Sequence, residues 1–339
     1  MTVDSEMRRQ IAFLPYQRAF SSPLRTSHGL WHERKGFIVR IEDSGRIGYG
    51  EIAPIPDFGT ETIEAAGAFL LKLMKTPEIA IPVDLPCCAF GLSAALATLA
   101  DNNSQTSAIE RSYPVSALLP AGKAAKEILR GKSARGYQSF KWKIGVEPMA
   151  VELALFAELV DLLPEGGTLR LDVNGGLEKA QLMGWIDTIA AQQSKVEYLE
   201  QPLPVGQEAL MANVMNTTGV AIALDESLNG SGGRRWLREW QGPLVVKPAL
   251  MGDVDTLRVD LKSVADRVVL SSVFETAFGV INALTMANLL PELNRPIGFD
   301  TFATFDDALQ LMPSASVLQL SEYSAVDLET LWHSLHHSS

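Results

Sequence analysis

Residues 139–145, SFKWKIG, are followed by four segments of the same make: TLRLDVNGG at 168–176, VEYLEQPLP at 196–204, VAIALDES at 220–227 and PLVVKPALMG at 243–252. Each is a short apolar run that stops on a charge and then meets Gly, Pro or the start of a helical pattern. Strands of a parallel sheet look like this when both faces are covered along the run and their C-terminal ends carry chemistry. Lys143, Asp172, Glu200, Asp225 and Lys247 follow one another at intervals of 29, 28, 25 and 22 residues. One strand, one helix and two loops fill about that length.

The alternation extends both ways. YPVSALLP (113–120) precedes it, and RVVLSSVFE (267–275) and a weak PIGFDTF (296–302) follow, with helical stretches such as PMAVELALFAELVDLL (148–163) and TAFGVINALTMANLL (276–290) between runs. Eight such units, with no G-x-G-x-x-G at a strand-to-helix turn, predict an α/β fold of the (β/α)8-barrel type over 111–300 rather than an open doubly wound sheet. Residues 1–110 differ. RRQIAFLPYQRAF (8–20) and KGFIVRIEDSGRIGYGEIAP (35–54) alternate like strands around a DSGR turn. ETIEAAGAFLLKLMK (61–75), with Thr60 and Thr62 as candidate caps, and the small-residue run FGLSAALATLA (90–100) read as helices. Strands followed by helices make this an α+β domain. Residues 301–339 read as polar and irregular, and their terminal HSLHHSS as a solvated tail without a metal role.

The chain has 339 residues, 47% of them hydrophobic and 20% charged, ample for a barrel with an accessory domain. A net charge of −11, with no Lys/Arg-rich run, argues against nucleic acid as a partner. No uncharged stretch exceeds the 16 residues of 85–100, which includes Pro86 and Gly91, too short to span a bilayer. No apolar segment follows the charged N-terminus, so no secretory signal is expected. Cys87 and Cys88 are adjacent, which disfavours a relaxed disulfide, and a cytoplasmic location is the simplest expectation. The oligomeric state is left open.

In a parallel barrel the ends of strands three, four and five lie side by side, which makes Asp172, Glu200 and Asp225 neighbours. Three carboxylates packed together repel, and this raises pKa values or calls for a cation. All-oxygen ligation without His or Cys favours Mg2+, against the plainer alternative that each acid caps the next helix. Lys141 and Lys143 share one face of strand two, and Lys247 ends strand six on the opposite wall. A partly buried lysine beside a metal can serve as a general base, whereas Lys141 fits a role in neutralising the acidic rim. Arg170 and Asn174 flank Asp172 at i±2, as expected for substrate contact or for ordering the ligands. Ser271 and Ser272 end strand seven, where hydroxyls and backbone N–H groups suit a carboxylate, or else cap the next helix.

At KWK, the successive Asp, Glu and Asp, and VVKP, the sequence resembles the enolase superfamily in its muconate-lactonising subgroup. The likeness also takes in PLRTSHGLWHERKGFIVRI, GYGEIAPIPDFGTET, LSSVFETAFG and most of the chain between. Within the subgroup it is most similar to the dehydratases of menaquinone and phylloquinone biosynthesis. The resemblance implies a capping domain over a modified (β/α)7β barrel, and a segment 301–339 that packs back on the cap. It implies Mg2+, with Mn2+ as a substitute, held by Asp172, Glu200 and Asp225 over a small carboxylate substrate. Lys143 would take the proton α to the carboxylate and return it to a departing hydroxyl in a syn elimination. Lys247 would stabilise the developing charge from the other face, and Lys141 would assist. The loops 22–30 and 58–60 would close over the substrate, with Gly175 and Gly176 loosening the loop after Asn174. The alternatives are an N-acylamino-acid racemase or dipeptide epimerase using the same lysines, or a catalytically silent barrel. Against the epimerase, GFDTF lacks an Asp-x-Asp.

Overall fold

A computed structural model of the chain describes residues 9–26, 29–101, 111–310, 315–324 and 326–336. Strands β1 (Gln10–Thr26), β2 (Gly29–Asp43) and β3 (Arg46–Ile52) form an antiparallel sheet in that order. The β2–β3 turn is made by Ser44 and Gly45, both left-handed at φ 54° and 76°, which is the backbone a tight hairpin needs to follow the strand twist. Helices α1 (Ile63–Lys75) and α2 (Pro86–Asp101) cover one face, and the Thr62 side chain accepts from Ala65 N to start α1.

Phe37, Val39 and Ile41 pack beneath these helices, while Ile38 and Tyr49 face the other way onto Phe278, Trp332 and Leu335. With both faces covered, FIVRI loses the polar half of its alternation. The small residues of α2 are accounted for by contact distance. A Cβ on Gly50 would lie 1.8 Å from Gly91 O, and one on Gly48 would lie 2.0 Å from Ala95 O.

After β4 (Ser112–Pro114) the strand and helix units run β5 (Ser116–Leu119), α3 (Ala124–Ser133), β6 (Ser139–Lys143), α4 (Met149–Leu162), β7 (Thr168–Asp172), α5 (Lys179–Ala190), β8 (Val196–Glu200), α6 (Glu208–Thr218) and β9 (Ile222–Ala223). Two single turns, α7 (Gly230–Gly233) and α8 (Trp236–Glu239), precede β10 (Leu244–Val246), α9 (Val254–Lys262), β11 (Val268–Leu270) and α10 (Ala277–Asn288). β5 to β9 are a parallel row, and β10 pairs with β11. Single bridges join Leu224 to Leu244, Ser271 to Gly298 and Ile297 to Val115. The ring therefore closes over eight positions, and the weak eighth run supplies only Ile297 and Gly298. Tyr198, Ala223, Val245 and Val269 pack together as an inner layer.

Three expectations are corrected. Between Asp225 and Lys247 the spacing predicts one helix, but GSGG carries poor helix formers and the segment breaks into two turns. The predicted loop 22–30 is the end of a hairpin, with Leu24 paired to Trp31 and Thr26 to Gly29; residues 27–28 lie outside those described. The end of the chain is not irregular throughout. β12 (Val317–Gln319) pairs antiparallel with β4, and α11 (Leu320–Ser324) and α12 (Leu328–Leu335) follow. Leu328, Leu331, Trp332 and Leu335 fall at helical spacing and pack in the cluster around Tyr49, with Arg40 paired to Glu329. The final residues of HSLHHSS, 337–339, lie outside those described. No helix among the described residues is long and apolar enough to cross a membrane.

Candidate active site

Strand register builds the site. Lys143 pairs in register with Asp172, and Asp172 with Glu200, so the three stand level on β6, β7 and β8. Two residues lower, Lys141, Arg170 and Tyr198 form the next row. β6 and β10 are four apart in the ring of eight, so Lys143 and Lys247 approach from opposite walls.

The carboxylates and lysines are interlocked. Lys141 Nζ donates to Glu200 at 2.7 Å and lies 3.1 Å from Asp172, and Lys247 is in close contact with Asp225. Lys247 also sits 5.1 Å from the centre of the Phe58 ring, a cation over an aromatic face. Among the described residues, the Lys143 ammonium has no hydrogen bond or ion pair. Burial pushes Glu200 up to about 8; Asp172 and Asp225 add to this and Lys141 opposes it. Burial acts the same way on Asp172, but Lys141, Lys143 and Lys247 together bring it below the usual carboxylate range. Lys141 and Lys247 lose solvation on burial, yet the surrounding carboxylates outweigh this and hold both above the ordinary lysine value.

Two carboxylate oxygens, Asp172 Oδ1 and Glu200 Oε2, are buried and accept no hydrogen bond. Such atoms are costly unless a cation faces them, and a hard divalent ion is the cation an all-carboxylate donor set suits. Among the described residues no three His, Cys, Asp or Glu side chains converge tightly enough to enclose a metal as they stand. The ammoniums of Lys141 and Lys247 stand among the acids and offset their charge.

The other expected residues divide. Asn174 follows the strand rather than continuing it, with φ 50°, and its amide donates to Glu226 at 2.8 Å. Both line a cavity of about 350 Å³ together with Phe58, Gly175, Gln201 and Gly230. Arg170 lies on the inner face but is only 1% exposed; it donates to Glu197 at 2.7 Å and to Pro296 O at 2.8 Å. That engages it at the N-terminal end of the barrel, away from the carboxylate row.

Ser271 shares the inner face with Val269. Ser272 is buried, donating to Glu275 and lying 2.9 Å from Thr301 Oγ1. Neither serine caps α10, whose N-cap is Thr276. The backbone N–H groups expected to receive a carboxylate are engaged within the protein: 271 by Val246 O, 272 by Gly298 O, 273 by Glu275 and 274 by the Ser272 hydroxyl.

Gln201 is absent from the sequence reading. Fully buried and left-handed at φ 36°, it accepts from Asp225 N at 3.1 Å and Ser227 N at 3.2 Å, and it donates to Leu203 O and Ser227 Oγ. It ties the end of β8 to the Asp225 turn. Its only sequence signal is a polar residue between a strand-end acid and a proline.

Residues 8–99 match the family model described as MenC, N-terminal domain, and residues 123–251 match Enolase C-terminal domain-like. The chain is 39% identical to an o-succinylbenzoate synthase of Thermosynechococcus vestitus, over 77% of this chain and 83% of that protein. A solved o-succinylbenzoate synthase from Thermosynechococcus elongatus BP-1, complexed with Mg in its active site, superposes with a TM-score of 0.80 at 34% identity, covering 96% of this chain and 99% of that one. The L-Ala-D/L-Glu epimerase of Bacillus subtilis superposes with a TM-score of 0.74 at 17% identity over 91% of this chain and 95% of that one, which is a likeness of fold alone. On the MenC-type first domain, the enolase-like barrel and the match over more than three quarters of its length, the chain belongs to the o-succinylbenzoate synthase family of the enolase superfamily.

Proposed function

We propose that this protein converts 2-succinyl-6-hydroxy-2,4-cyclohexadiene-1-carboxylate to 2-succinylbenzoate and water, the dehydration that supplies menaquinone or phylloquinone synthesis. The observation that carries the reading is the unequal treatment of the lysines. Lys141 and Lys247 are paired with carboxylates, and Lys143, level with Asp172 and Glu200, is not. A lysine without a carboxylate partner can exchange a proton with substrate, whereas an ammonium beside carboxylates holds its own.

Asp172, Glu200 and Asp225 would hold Mg2+, with Mn2+ as a substitute. When bound, the ion would supply positive charge beside the substrate carboxylate, whose α-proton is otherwise far too weakly acidic for an amine. Lys143 Nζ takes the proton from C1. The C–H electron pair becomes the new ring double bond as the C6–O bond breaks, and the same ammonium returns the proton to the departing oxygen as water. Lys247, held protonated beside Asp225, stabilises negative charge from the opposite wall, and the Phe58 ring over it excludes water. Against the dipeptide epimerase stands Asp300, the one acid of the eighth run. It is engaged by Lys132, Tyr137 and Leu118 N and is not available to a substrate amino group.

The test is direct. Purified protein with Mg2+ should aromatise the cyclohexadiene carboxylate, followed by ultraviolet absorbance, and Lys143→Ala should lose about 10²- to 10⁴-fold in kcat while staying folded. No turnover by the wild type would sink the reading. Exchange of the α-proton of N-acylamino acids in D2O without dehydration would move the assignment to a racemase.

A further inference from the structure

The segment 273–276 links Ser271 and Ser272 to helix α10, and the N-terminal sheet holds it from all three strands. Arg34 on β2 donates to Val273 O at 3.1 Å, Arg18 on β1 donates to Glu275 O at 3.1 Å, and Glu51 on β3 accepts from Thr276 N at 2.9 Å. Between the two gripped carbonyls, Phe274 is left-handed at φ 66°. A bulky residue in that region carries strain and holds it only when its surroundings impose it.

The arginines are an unusual pair. They are cross-strand partners in the β1–β2 register, and both are buried, at 2% and 4% exposure. Like charges directly opposite destabilise a sheet, and burying both adds desolvation. Among the described residues, Arg34 donates only to carbonyls: Val273, Pro54 at 2.7 Å, Lys35 at 3.4 Å, and Ala53 in close contact. Arg18 reaches Asp307 at 2.8 Å and Gln310 at 3.1 Å and stacks 3.7 Å from the centre of the Phe305 ring. What both share is the backbone on either side of Phe274, whose ring meets Phe20 edge-on at 5.4 Å.

Ser272 faces into this turn, its hydroxyl receiving Phe274 N at 3.0 Å. Ser271 points the other way, above Val269 on the inner face, and its hydroxyl makes no hydrogen bond among the described residues. Gly298 makes room for it, since a Cβ there would lie 3.0 Å from Ser271 Oγ. With the neighbouring N–H groups engaged, Ser271 is the donor this turn offers to the barrel mouth.

We propose that Arg34 and Arg18 are positioning residues. By gripping Val273 O and Glu275 O they impose the left-handed backbone of Phe274, and so fix the turn that presents Ser271 to a substrate carboxylate. The inference rests on the dehydratase reading, and wild-type turnover tests that reading first.

The experiment is a double-substitution cycle with steady-state kinetics and thermal melts. Arg34→Lys keeps the charge and removes the fork that spans several carbonyls. It should raise KM about ten-fold with kcat little changed, because a contact made equally before and in the transition state acts on KM. Phe274→Gly adopts the left-handed backbone without strain and should leave KM within about two-fold of wild type. Combined with Arg34→Lys it should bring KM back toward the wild-type value, even though the ring contact with Phe20 is gone. Arg18→Lys gives the same cycle in case the Arg34 variant melts below the assay temperature. A KM unchanged in both lysine variants, or a double variant no better than its lysine parent, overturns the proposal. A purely structural role would lower melting temperature and active fraction and leave KM alone.

Discussion

The carboxylate of Glu51, on the third strand of the N-terminal sheet, lies 3.0 Å from the backbone nitrogen of Gly279 in a barrel helix. It also accepts from Thr276 N and from the hydroxyls of Thr276 and Tyr16. Thr276, the formal N-cap, offers no side-chain cap of its own. A strand from one part of the chain therefore supplies the negative charge that the N-terminus of α10 favours.

That contact requires a glycine. A Cβ at 279 would lie 2.4 Å from Glu51 Oε2 and 2.8 Å from Glu275 Cβ, and Glu51 Oε2 is held in place by Thr276 and Gly279. Gly279→Ala should destabilise by about 2–4 kcal/mol in urea unfolding. Gly131, in α3, has no atom within 4 Å of the corresponding position. Gly131→Ala should therefore stabilise by about 0.5–1 kcal/mol. A loss at 131 equal to that at 279 would contradict the contact argument.

Asp300 and Lys132 form a buried ion pair at 2.5 Å, with Tyr137 OH at 3.2 Å and Leu118 N at 3.0 Å completing the carboxylate's contacts. Removing one charge strands the other, so Asp300→Ala should cost about 3–5 kcal/mol. The double variant Asp300→Leu with Lys132→Met, which removes both charges, should unfold at higher denaturant than Asp300→Ala. Equal midpoints would show that the pair does not carry the penalty.

Glu275 gives a pH signature. Burial pushes its carboxyl up to about 7; Glu51 nearby adds to this, against the Ser272 hydrogen bond that favours ionisation. The folded value is thus above the unfolded one, near 4.3. Its contribution is complete below the unfolded value and is lost as pH rises from about 4.3 through about 7. Glu275→Gln removes that dependence. Relative to wild type it should gain on the order of 3 kcal/mol across this window, read from urea midpoints at pH 5 and pH 8. A difference that stays constant with pH would show that Glu275 titrates normally in the fold.

Metal removal should separate the carboxylates from the fold. A chelator should abolish turnover, and Mg2+ should restore it. Added Mg2+ at about a hundred times its dissociation constant should stabilise the wild type by about 2.7 kcal/mol. Glu200→Gln should lose that increment while keeping its metal-free melting temperature or exceeding it, since a buried acid pushed up to about 8 is replaced by a neutral amide. Undiminished Mg2+ stabilisation in Glu200→Gln would remove it from the ligand set.

The placement of the candidate site's residues was legible where chemistry and strand period coincide. Lys143, Asp172 and Glu200 each end an apolar run, and parallel pairing places equivalent ends side by side. Arg170 shows the limit of that reasoning. Its i−2 spacing from Asp172 gives the correct face, but depth along the strand decides its neighbours, and Glu197 and Pro296 O engage it far from the rim. Gln201 was invisible for the opposite reason, because its function is to join two turns whose proximity depends on the ring closing.

Local sequence determined the units of this protein. Apolar runs ending in charge, helical spacing between them and a Ser44-Gly45 turn each express physics acting over a few residues. Only the tertiary structure decided how far units reach into one another. Arg18 and Arg34 grip carbonyls more than 230 residues away, and α12 covers Tyr49 from the far end of the chain. Whether an ammonium is paired, as Lys247 is with Asp225, or has no such partner among the described residues, as with Lys143, depends on which walls face each other across a closed barrel. Electrostatic pairing is set by distance through space, and the order of residues along the chain constrains that distance only after the ring has closed.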